Sequence, residues 1–77
     1  MNPELTILRN LERGHEGIVT KPVLWNEVSL DDSGVTYSEF SKALGDLEIE
    51  GEVLVLTGKD RIKVKITDKG KLRLMEA

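Results

Sequence analysis

Seventy-seven residues make one domain around a single core, and the absence of cysteine excludes disulfides and thiolate metal sites. The net charge of −3 hides an asymmetry: residues 1–52 set eleven acids against Arg9, Arg13, Lys21 and Lys42 for −7, whereas residues 53–77 carry +4. The opening Met-Asn-Pro-Glu-Leu lacks the pattern of a signal peptide, and the longest purely apolar run, residues 53–56, cannot cross a bilayer, so a soluble cytoplasmic protein is expected.

The first predicted helix opens on Asn2 as cap, Pro3 in the first turn and Glu4 against the positive end of the dipole. Leu5, Ile7, Leu8 and Leu11 recur at the helical period, and Gly14 is a terminator. Residues 17–19 read as a minimal strand. Thr20 then caps a second helix with Pro22 in its first turn and Leu24, Trp25 and Val28 facing inward. Residues 29–34, containing Asp31-Asp32-Ser33-Gly34, read as a loop.

The third helix has the sharpest start. Thr36 and Glu39 form a capping box, and Val35 and Phe40 stand at the two positions of a hydrophobic staple. Phe40, Ala43, Leu44 and Leu47 make its buried stripe, and Gly51 ends it. The period then falls from 3.6 to 2. Residues 52–56 read as a strand buried on both faces, residues 57–60 as a turn, and residues 61–66 alternate strictly. Ile62, Val64 and Ile66 are assigned to the core, and Arg61, Lys63 and Lys65 to water. Thr67 caps a short last helix through Lys71, although residues 71–74 also alternate as a strand would. Both endings stay open.

An α+β order of helix, small strand, helix, helix and two-stranded wing resembles the winged helix–turn–helix family, especially regulators of the MarR and PadR kind, over nearly the whole chain. Two patterns carry the resemblance. Leu44-x-x-Leu47-x-x-x-Gly51-x-Val53 looks like a recognition helix running into the first wing strand. Ile66-Thr67-Asp68-Lys69-Gly70 looks like the Leu-Thr-x-x-Gly element that follows the second. The resemblance implies a DNA-binding transcriptional regulator, with the third helix in the major groove of double-stranded DNA and the wing on the backbone.

With Phe40 as the core direction, 100° per residue puts Ser38, Ser41, Lys42 and Gly45 outward. Glu39 and Asp46 lie on one flank and Glu48 on the other. Serine reaches phosphates or base edges, Lys42 supplies charge, Gly45 allows close approach, and Tyr37 reaches a phosphate. On the wing, Lys59, Arg61, Lys63 and Lys65 would neutralise phosphates. The third helix offers one basic residue and no Arg, Asn or Gln for bidentate base reading, and Glu48, Glu50 and Glu52 would repel DNA.

Other features have plainer readings. Trp25 is a core anchor. His15 has no second histidine for a metal site or catalytic dyad. Asp31-Asp32 lacks the spacing of a calcium loop and reads as a solvated turn, and Gly58-Lys59 lacks the frame of a phosphate loop. Alternating charge on residues 61–65 also serves to protect a strand edge. No nucleophile–base pair or cofactor loop points to an enzyme. A winged-helix protein-interaction module is the alternative to DNA binding, favoured by the acidic flank and low pI. A monomer and a homodimer through the first helix and the C-terminal segment are both open.

Overall fold

The computed structural model describes residues 2–14 and 17–77, so His15 lies outside the described residues. Its elements run α1 (Glu4–Gly14), β1 (Ile18–Thr20), α2 (Lys21–Asp31), α3 (Tyr37–Ile49), β2 (Val53–Thr57), β3 (Ile62–Ile66) and α4 (Asp68–Glu76). The three strands form an antiparallel sheet in the order β1-β3-β2, with Val64 opposite both Val19 and Val55. This is an α+β winged-helix arrangement, with the β2–β3 hairpin as the wing.

Capping explains several of the helix boundaries. Asn2 Oδ1 accepts from the Glu4 N–H at 3.1 Å. Thr36 Oγ1 accepts from the Glu39 N–H at 3.2 Å, and the Glu39 carboxylate accepts from the Thr36 N–H at 2.9 Å. Val35 and Phe40 of the staple are both buried. At the far end Gly51 takes φ +76°, which lets its N–H reach Glu48 O and the Glu52 N–H reach Leu47 O. That is a Schellman closure. Thr20 sits at the N-cap of α2 but makes no side-chain cap bond.

One face of the sheet and one stripe of each of α1, α2 and α3 enclose the core. Ile7, Leu8, Leu11, Leu24, Val28, Phe40, Leu47, Val53 and Val64 have no exposed surface. Burying a side chain of this kind contributes about 1.5–3 kcal/mol. Fourth-helix docking closes the molecule. Thr67 Oγ1 accepts from the Gly70 N–H at 3.2 Å and donates to Gly51 O at 2.6 Å. A Cβ on Gly70 would overlap the Glu52 carbonyl oxygen and crowd Ile66 and Leu8. The Thr-Asp-Lys-Gly tetrapeptide therefore caps α4 and brings it against the base of the wing.

Three expectations need correction. Residues 29–34 are not all loop: α2 continues through Asp31, whose Oδ2 accepts from Asn10 Nδ2 at 3.2 Å and lies 3.8 Å from Arg13 Nη2. Asp31 is thus a tie to α1. β2 is not buried on both faces, because the helices cover only one; Leu54 is 49% and Leu56 44% exposed. Ile62 leaves the core for the wing, at 39% exposure. Of the two endings left open, the helix capped by Thr67 is the one the structure shows, and it runs on from Lys71 through Glu76.

Candidate functional site

The α3 start, the α2 start and the wing tip converge on one side of the molecule. Tyr37, the first residue of α3, is half exposed, and its ring meets Trp25 edge-to-face at 5.2 Å. Phe40 completes the cluster, 5.3 Å from the indole and 5.8 Å from the phenol. Lys21 Nζ stands 5.8 Å from the Tyr37 ring centroid, within cation–π range. Trp25 is therefore only in part the core anchor its helical position suggests, since it stays partly exposed.

These side chains line a cleft of about 560 Å³, whose far wall is the wing residues Asp60, Arg61 and Ile62. The hairpin turn is held by the Gly58 N–H donating to Arg61 O at 2.8 Å. Lys59, Arg61 and Lys63 line a second hollow at the wing tip. Lys65 does not reach it. The pairing places Lys63 beside Leu56 and Thr20, and Lys65 beside Leu54 and Ile18, on the sheet face turned away from the helices.

The outward side of α3 forms a third surface. Ser38 and Lys42 are exposed, while Ser41 and Gly45 are half-buried. Nothing lies within 4 Å of where a Gly45 Cβ would stand, so no packing inside the chain requires glycine there, although it costs about 0.5–1 kcal/mol in a helix interior. Lys42 shares a shallow hollow with Glu39 and Asp46. Hydrogen bonding from the Thr36 backbone holds the Glu39 carboxyl below its ordinary value of 4.5.

The nine residues singled out by sequence thus divide. Tyr37 and Arg61 share the cleft, Lys59 and Lys63 flank it at the wing tip, Ser38, Ser41, Lys42 and Gly45 lie along α3, and Lys65 stands apart on the sheet. Sequence reasoning missed Lys21, which only the tertiary fold brings to Tyr37. It also missed Ile49, 82% exposed, which the same helical projection places directly opposite Phe40.

The acids of the α3 terminus are not equivalent. Glu52, expected among those facing a ligand, is 8% exposed and receives Arg73 Nη1 at 2.6 Å; the same nitrogen reaches Glu4 Oε1 at 2.5 Å. Hydrogen bonding to Glu52 and Glu4 pushes the Arg73 guanidinium pKa up from its ordinary value. Glu48 and Glu50 stay exposed. Among the described residues no group of three or more His, Asp or Glu could hold a metal ion, and no helix is long and apolar enough to cross a membrane.

No protein-family model matches the chain, so the MarR and PadR kinship is left without a match of its own. No curated protein sequence matches it either. Among solved structures, the chain is similar to Sso10a-2, described as a DNA-binding protein from Sulfolobus solfataricus. The two share 26% identity with a TM-score of 0.65, over 94% of this chain and 70% of the other. That likeness agrees with the winged-helix fold.

Proposed function

We propose that this chain binds double-stranded DNA as a small winged-helix protein, with α3 in the major groove and the wing on the phosphate backbone, in the service of transcriptional regulation. The observation that carries the reading is the convergence of Lys21, Tyr37 and Arg61 on one cleft beside the outward face of α3. Lys59 and Lys63 continue the positive surface at the wing tip. None of the four cations forms an ion pair among the described residues, so their charge is free for phosphates. The similarity to a DNA-binding protein supports the same reading, and so does the room left open at Gly45.

Positioning by phosphates outweighs base reading here. Ser38, Ser41 and Lys42 are the groups on α3 that reach bases or backbone, and only Lys42 can span two acceptors of one base. Lys65 contributes to the general field and not to the wing-tip contact.

The test is an amide-shift titration with a short blunt duplex at low and moderate salt. Shifts confined to residues 21–25, 36–45 and 58–63, fading with salt, are expected. The double variant Lys21→Ala/Arg61→Ala should bind all sequences more weakly and lower the slope of log affinity against log salt by about 2, with its circular dichroism unchanged. An unchanged slope removes these two residues from the interface. Absence of any shift at low salt overturns DNA binding and turns attention to a protein partner for the exposed aliphatic sheet face.

A further inference from the structure

The cleft that carries the DNA reading holds more aromatic surface than a phosphate contact can use. Trp25 and Tyr37 form one wall at 82° to each other, Ile62 lies opposite, and Lys21 and Arg61 bring two positive charges against the single acid Asp60. A continuous duplex offers such a cleft only phosphate and sugar, and neither has a π-face for an indole or a phenol. An unpaired nucleotide offers both a flat base and the phosphate that follows it. The volume of about 560 Å³ falls within the roughly 300–1,000 Å³ of small-ligand clefts.

The outward face of α3 points the same way. Its outward polar residues are Ser38, Ser41 and Lys42, of which only the lysine can span two acceptors of a base edge, so discrimination among duplex sequences is limited. Stacking on aromatic rings is tolerant of sequence and selects instead for strand state.

We infer that the cleft between the α2 start, Tyr37 and the wing takes one unstacked nucleobase, making duplex DNA with an adjoining single-stranded segment the preferred substrate class. The base lies against Trp25 and Tyr37, and its phosphate lies between Lys21 and Arg61. This rests on the DNA-binding reading above, and it adds a preference that reading does not contain.

Trp25 is the only tryptophan, so intrinsic fluorescence reports directly on the cleft. Three probes are compared: a blunt duplex, the same duplex with a short oligothymidine 3′ overhang, and oligothymidine alone. The overhang duplex is expected to bind about tenfold tighter than the blunt one, as one stacked base would give, and to quench Trp25. Oligothymidine alone is expected to quench Trp25 at higher concentration. Tyr37→Leu should bring the overhang-to-blunt affinity ratio to near one, whatever it does to either affinity alone. Equal affinities for blunt and overhang DNA overturn the base site and leave duplex binding standing. Tighter overhang binding without a change at Trp25 also overturns it, because the base then lies elsewhere. If no probe binds at low salt, the DNA reading itself has failed.

Discussion

The two ends of the wing use the same kinds of side chain in opposite ways. At its base, Arg73 bridges Glu4 and Glu52, Lys69 Nζ donates to Glu50 O at 2.7 Å, and Thr67 ties α4 to Gly51. At its tip, Lys59, Arg61 and Lys63 make no ion pair among the described residues, and Lys21 meets only an aromatic ring. The +4 of residues 53–77 therefore overstates what a polyanion would meet. Part of that charge is consumed in closing the fold. A carboxylate within reach makes a basic residue structural; where none is in reach, the charge is available to a ligand.

The contrast predicts that substitutions at the base cost stability and those at the tip do not. The largest effect is expected from Gly70→Ala. Its new methyl group meets backbone at Glu52, which cannot yield as a flexible side chain would, and a loss of about 2–3 kcal/mol follows from overpacking of this kind. Urea unfolding measures it directly, and an unchanged midpoint would show that α4 can shift freely.

Arg73→Met comes next. It leaves Glu52 buried without its cation, a defect that costs about 3–5 kcal/mol in a fully buried pair. Arg73 is 34% exposed, and water screens the interaction, so about 1–2 kcal/mol is the expected loss. Adding Glu52→Gln should recover part of it; no recovery would mean that the arginine acts through its aliphatic packing.

The smallest effect belongs to α3. Glu39 is held below 4.5 in the folded chain by the Thr36 backbone hydrogen bond, so its ionised form favours folding. That contribution is present above pH 4.5 and is lost as the pH falls through the lowered folded value. Glu39→Gln should be less stable than the parent at neutral pH, and the gap should close in acid. A gap independent of pH would assign the effect to the geometry of the cap instead of its charge.

Local chemistry was legible wherever it was complete within a few residues. Thr36 and Glu39, Val35 and Phe40, and the Gly51 stop each carry their instruction in adjacent sequence, and the structure realises all three. The strand at Ile18 shows in the sequence only as a short apolar run, because its pairing partner β3 lies far along the chain. What stayed hidden depends on which surface is left uncovered. An apolar run such as residues 53–56 looks alike whether one face or two are packed, and Leu54 and Leu56 turn out to face water. Asp31 looked like turn chemistry because Asn10 and Arg13 reach it only after α1 and α2 have docked. The cleft was illegible for that reason too. Lys21, Tyr37 and Arg61 come from three elements, and no spacing in the chain announces their meeting. Ile49 is different: the helical projection alone places it outward, opposite Phe40, and it carries no polar chemistry that marks a contact surface.

The strand order β1-β3-β2 carries a consequence for how the chain acquires its shape. Among the described residues β1 hydrogen-bonds only to β3, which follows α2 and α3 in the chain, so during synthesis residues 18–20 wait unpaired while three helices are already made. Contacts this distant in sequence form late, after the local ones. A strand of three residues offers little template for a wrong pairing in that interval, as very short edge strands offer little in a finished sheet.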